Sequence, residues 1–306
     1  MNATSSGMSR QLLIPFDFSD SSMLAVRVGF HFARVMQVTP VILHVYPAIW
    51  YGDPIFGEYM GSFDPADEEI QEAIEQRDIR KAAERSFQKF RAKINEMQRG
   101  GELPDVRFSS LLLEGVAEDQ ILEYCRQNTP RLVVMATRGI NRKEEELIGS
   151  VTAEVLDSCR VPVFTIPDNY TGDNSKPMSR CLMFCTLEQY DIAGLERMMK
   201  IFDMPEADIW LMPVTHRNMT DAKDKLETLY ERLSDAWPRL RFHQALIEET
   251  KITSEIDEFI KENKIDLVIA PNRKAGIFTR LFRPSVAHQC LFALDVPMLA
   301  LPVSKD

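Results

Sequence analysis

The chain repeats itself. Val133 to Gly139, VVMATRG, matches Val268 to Lys274, VIAPNRK, 135 residues later, and at the same offset Val161 to Pro167, VPVFTIP, falls without a gap on Val296 to Pro302, VPMLALP. Further upstream, Val106 to Gly115, VRFSSLLLEG, matches Leu240 to Glu249, LRFHQALIEE, at an offset of 134. A repeat this long makes the 306 residues two copies of one folding unit, so an architecture that suits one half must suit both. With 45% hydrophobic and 27% charged residues, the composition is that of a globular protein with enough apolar surface for two cores.

Within the first half, short apolar runs alternate with amphipathic helical patterns. The runs at Leu12 to Phe16, Val41 to Tyr46, Val106 to Leu113, Leu132 to Ala136 and Val161 to Ile166 read as strands. Nearly continuous apolar strands such as LVVMA and DLVIA suit a parallel sheet covered on both faces, which predicts an α/β fold of two tandem doubly wound domains. The boundaries follow from composition: a first domain over 1–167, a Pro, Asn, Asp, Gly and Ser-rich linker over 168–179, and a second domain over 180–306. The first-strand offset is about 170 (Leu12 with Leu182), against 134 at the third strand. The first half therefore carries roughly 35 extra residues after its second strand, placed at about 47–80. Five aromatics there, Trp50, Tyr51, Phe56, Tyr59 and Phe63, suit a loop packed over its own domain, with a lid or a partner surface as the other readings.

Charge and cysteine usage narrow the function. A net charge of -10 argues against a nucleic-acid surface, although Arg138, Arg142 and Lys143 form a local basic cluster able to meet an anion. There is no run of 18 apolar residues for a membrane span and no apolar core for a signal peptide near the start, so the cytoplasm is the expected compartment. Five cysteines without a CxxC pair read as buried reduced thiols, and five scattered histidines form no metal motif.

The chemistry concentrates around one stretch. MATRGINRKEEELIGSVTAEV leaves a strand at Ala136, turns at Gly139 and starts a helix at Gly149-Ser150. The first turn of such a helix has unpaired N–H groups and a positive dipole end, glycine allows close approach of phosphate, and Ser150 offers a hydroxyl. Asp17, just past the first strand in LLIPFDFSDSS, comes to the same switch point, where it can accept from a ribose or a base or else cap the next helix, a role open also to Ser19 or Asp20.

The P-F-D-F-S strand end, the ILHV second strand and the run Gly139-x9-Gly149-Ser150-Val151 followed by a V-P-V strand together resemble the universal stress protein (UspA-type) family, in a tandem two-domain form. That resemblance implies a strand order 3-2-1-4-5 in each half and pairing of the two halves through their fifth strands as an internal pseudo-dimer, with further homodimerisation open and no protein partner indicated. It also implies ATP as the ligand, alone or with Mg. The base would be held by Asp17 and the second-strand backbone near Pro40 and Val41, and the phosphates by Ala136, Gly139, Arg142, Gly149, Ser150 and Val151. Two positions depart from the family: Ala136 replaces the first motif glycine, and Pro40 brings no N–H. Neither a nucleophile nor a metal-binding carboxylate is evident at the phosphates, so a binding protein with little or no catalysis is expected. The alternative is a nucleotide-independent interaction module that acts through dimerisation and its aromatic insertion. In the second half, Pro271, Lys274 and Pro284 stand where Ala136, Gly139 and Gly149 stand in the first, and only Ser285 survives, so at most one ATP per chain is expected.

Overall fold

The computed structural model describes residues 10–47, 65–138, 149–170, 178–185, 187, 189–202, 204, 206–213, 219–246, 252–272 and 296–302. The first half runs β1 (Gln11–Pro15), α1 (Asp20–Met36), β2 (Thr39–Tyr46), α2 (Pro65–Arg99), β3 (Ser109–Glu114), α3 (Ala117–Asn128), β4 (Leu132–Ala136), α4 (Ser150–Ser158) and β5 (Val163–Ile166). The second runs β6 (Arg180–Cys185), α5 (Gln189–Ile201), β7 (Asp208–Pro213), α6 (Met219–Ala236), β8 (Arg241–Gln244), α7 (Ile252–Glu262), β9 (Leu267–Asn272) and β10 (Met298–Pro302).

All ten strands join one sheet in the order β3-β2-β1-β4-β5-β10-β9-β6-β7-β8. Each half has the expected order 3-2-1-4-5 with every internal pair parallel, and the halves meet where β5 and β10 pair antiparallel, Leu299 opposite Phe164. Register shows the duplication directly. Gln11 pairs with Thr39 as Arg180 pairs with Asp208, an offset of 169; Val41 pairs with Ser109 as Trp210 pairs with His243, which brings the offset to 134 at β3 and β8. The difference of 35 residues lies between β2 and β3, as expected, but part of it has a different form: residues 65–80, read as loop, are the opening turns of the 35-residue α2, against 18 residues in α6. The five insertion aromatics lie outside the described residues.

Alternation along the strands separates two cores. Leu12, Ile14, Leu132 and Val134 face a layer built with α1, α2, α5 and α6, whereas Leu13, Val133 and Met135 face a layer built with α3, α4 and α7. Because both faces are covered, every second residue cannot be polar, which is why these strands read as continuous apolar runs. The helix α1 has Ala25, Val26, Gly29, Phe30 and Ala33 buried at helical spacing. At Gly29 an added Cβ would lie 2.6 Å from Ile14 Cδ1, so glycine permits the close seating of α1 on β1. Cys125, Cys159, Cys181 and Cys185 are buried free thiols, and no helix among the described residues is long and apolar enough to cross a membrane.

The seam between halves is backed by rings. Phe164 on β5, Phe32 on α1 and Phe202 after α5 pack mutually with centroids 4.9, 5.1 and 6.0 Å apart. Phe164 is fully buried, so Phe164→Ala should lower stability by about 3–5 kcal/mol. Fluorescence of Trp210 and Trp237 in the second half should report the same lowered urea midpoint as far-UV circular dichroism; a second-half transition left unshifted would mean that the halves unfold independently.

Candidate functional site

In an order 3-2-1-4-5 the chain leaves β1 toward β2 on one side and returns to β4 on the other. The connections diverge between β1 and β4 and open a crevice outside the carboxyl ends of the strands. In the first half this crevice is a cleft of about 400 Å³, within the usual range for small-ligand sites.

Its wall at β1 is set by a compact turn. Phe18 adopts a left-handed backbone (φ 65), and Ser19 is the N-cap of α1, its hydroxyl oxygen accepting from the Ser22 N–H at 3.0 Å. Asp17 is thus not the cap. Its Oδ1 accepts from the Ser19 N–H at 3.1 Å and the Ser19 hydroxyl at 2.6 Å, which orients the carboxylate at the cleft.

On the β2 side, the lining comes from Leu43, His44 and Val45. Pro40 and Val41 lie elsewhere. They pair with Leu12 and Leu13 near the start of β1, and Val41 is buried in the core, four residues and roughly 13 Å of strand short of Val45. The correction follows from the direction of a parallel sheet: a ligand at the carboxyl ends meets the last residues of β2, not the first. The missing N–H of Pro40 therefore has no bearing on the cleft. The signal was available in ILHV, whose His44 and Val45 precede the turn, but reading the histidines as scattered passed over it.

His44 Nδ1 lies 2.8 Å from the Phe16 carbonyl oxygen, to which it donates, leaving Nε2 as an acceptor in the neutral ring. Burial lowers its pKa below 6.5, against the opposing effects of the Phe16 bond and the Asp17 charge. Phe18 and Phe87 pack on the ring, at 4.6 and 6.0 Å.

Opposite, α4 begins at the cleft. The Gly149 N–H donates to the Thr137 oxygen at 2.8 Å and the Thr152 hydroxyl to the Ala136 oxygen at 3.0 Å, so two bonds hold the helix start against the end of β4. Gly149, Ser150 and Val151 all line the cleft, as does Ala136. Gly149 itself has an extended backbone (φ -70, ψ 148) that any residue adopts, so its contribution is the space left by the missing side chain. Ala136 continues β4, paired with Ile166, which suits alanine as well as glycine. Arg138 also lines the cleft, whereas Gly139 and Arg142 lie outside the described residues. Among the described residues no group of three His, Cys, Asp or Glu is placed to hold a metal ion.

A family model described as "Universal stress protein family" matches residues 8–167, which hold this cleft. The chain belongs to the universal stress protein family. Universal stress protein MJ0531 of Methanocaldococcus jannaschii is 25% identical over 158 residues, 51% of this chain and 81% of that protein. A universal stress protein from Archaeoglobus fulgidus superposes with a TM-score of 0.64 over 97% of both chains at 16% identity. A putative universal stress protein from Pseudomonas aeruginosa gives 0.54 over 96% of this chain and 93% of its own at 9% identity. At those identities the two structures speak for the universal stress protein fold over both halves.

The fold favours the neutral His44 ring, so its contribution to stability is complete above 6.5 and is lost as pH falls through the lowered value. The imidazole resonances should show the Nδ1–H tautomer at pH 7 and titrate below 6.5. A midpoint above 6.5 would place the ring in water or beside a stronger negative charge.

Proposed function

We propose that the first half of this universal stress protein binds one adenine nucleotide, ATP above others, and works as a nucleotide-responsive regulatory protein with little or no catalysis. The observation that carries this reading is the start of α4, held at the cleft by the Gly149 and Thr152 bonds. Its next N–H groups, at Ser150 and Val151, have no intrahelical acceptor. A helix start in that position favours an anion. The other end of the same cleft offers what a purine and ribose need: the oriented carboxylate of Asp17, the Nε2 acceptor of His44 and the backbone of Val45. Asp17 is engaged with Ser19 in the turn after β1, which supports binding over phosphoryl transfer. Mg would enter with the polyphosphate.

The second half differs at matching positions. The 169 offset pairs left-handed Phe18 with left-handed Leu187, so Thr186 takes the place of Asp17. Ser22, which lines the first-half cleft, becomes Asp191, fully buried, and a carboxylate there opposes a polyanion. Pro271 follows Ala270 in β9 at the position of Ala136.

Isothermal titration with ATP should give one site per chain. Asp17→Ala and Gly149→Val should each weaken it about tenfold or more, by removing an acceptor and by filling the phosphate end of the cleft. Wild-type affinity in both variants would exclude this cleft as the nucleotide site, and two sites per chain would overturn the one-site reading.

A further inference from the structure

Along the sheet the strands of the cleft run β2, β1, β4, β5. The groups suited to a base and ribose stand at β2 and β1, and the start of α4 stands over β4. A polyphosphate extending from that helix start away from the base therefore heads toward β5. Arg138 and Asp168 meet there. Arg138 follows Thr137, whose carbonyl takes the Gly149 N–H, and Asp168 follows the end of β5. Arg138 Nε lies 3.5 Å from Asp168 Oδ2, with the two side chains 26% and 17% exposed. That nitrogen is buried and makes no hydrogen bond. An ion pair of that length without hydrogen-bond geometry holds a guanidinium weakly, whereas two phosphate oxygens match its planar fork.

We propose that Arg138 reads the terminal phosphate and that Asp168 competes with it for the guanidinium, so that the cleft ranks nucleotides by phosphate number. This rests on the nucleotide reading above. Asp168 makes the preference shallower, because a ligand too short to reach Arg138 leaves the ion pair in place at no cost, whereas one that reaches it must draw Arg138 away. The carboxylate also repels a terminal phosphate directly, so removing its charge should favour the longest ligand.

The test is calorimetric titration of the full chain with AMP, ADP, ATP and inorganic tripolyphosphate, with circular dichroism to verify folding of each variant. The wild type should bind ATP more tightly than ADP, and ADP more tightly than AMP. Arg138→Gln should weaken ATP about tenfold and AMP by less than about twofold, and Arg138→Lys, which keeps charge without the fork, should fall between. Asp168→Asn should tighten ATP several-fold at roughly constant AMP affinity. Equal wild-type affinity for AMP and ATP, or a similar loss for all three nucleotides in Arg138→Gln, would overturn the assignment while leaving nucleotide binding in place. ATP bound no better than tripolyphosphate, with both weakened by Arg138→Gln, would instead overturn the adenine reading and keep Arg138 as the phosphate contact.

Discussion

The antiparallel pairing of β5 with β10 makes one object of two halves. Each five-stranded sheet would otherwise end in an apolar edge at its fifth strand, Val163–Ile166 or Met298–Pro302, with unpaired N–H and C=O groups along it. Joining these edges satisfies both ladders at once and continues the two core layers from one half into the other. Phe164 and Leu299, opposite one another, are fully buried. Because the joint is antiparallel inside two otherwise parallel halves, strand order reverses across it, and β3 and β8 become the outer edges. Those edges are short, and β8 carries charge: Arg241 makes two bonds to Asp208, at 2.9 and 2.7 Å. The Arg241 guanidinium holds the Asp208 carboxyl well below the usual carboxylate range.

The cleft depends on the same parallel order at shorter range. All strands of the first half deliver their carboxyl ends to one side, so Asp17, His44 and the start of α4 converge although they are far apart in sequence. Convergence alone does not make a site for an anion. The Gly149 and Thr152 bonds keep the helix start at the rim of β4, and the Ser19 bonds turn the Asp17 carboxylate toward the cleft. Donors set on one wall and acceptors on the other give the cleft a direction.

Much of this was legible because it is periodic or repeated. β4 begins and ends at the residues read from LVVMA, and the other first-half strands lie within three residues of their expected limits, since a strand buried on both faces announces itself as an apolar run. The duplication was visible as sequence offsets, which the sheet registers reproduce. What failed were matters of position along an element and of local balance. Pro40 and Val41 stand on the right strand at the wrong end, an error that strand direction corrects. The opening of α2 was read as loop because its surroundings, rich in proline, glycine and aromatics, masked a helical pattern that begins at Pro65. The Asp17 and Ser19 alternatives for the α1 cap were left open by sequence, because either side chain suits the role; a 3.0 Å bond to the Ser22 N–H decides for Ser19.

Duplication followed by divergence accounts for a molecule with one frame and two chemistries. The frame is kept by residues buried in the sheet, where Leu12 and Cys181, Leu132 and Leu267, and Phe164 and Leu299 hold matching places and full burial. Such positions tolerate changes of shape only within the apolar class. Around the carboxyl ends of the strands the halves part: Ser22 against Asp191, Ala136 against Pro271. A second half that keeps its sheet still covers the β5 edge and sets Phe202 against Phe32 and Phe164. Its retention therefore follows from the seam alone.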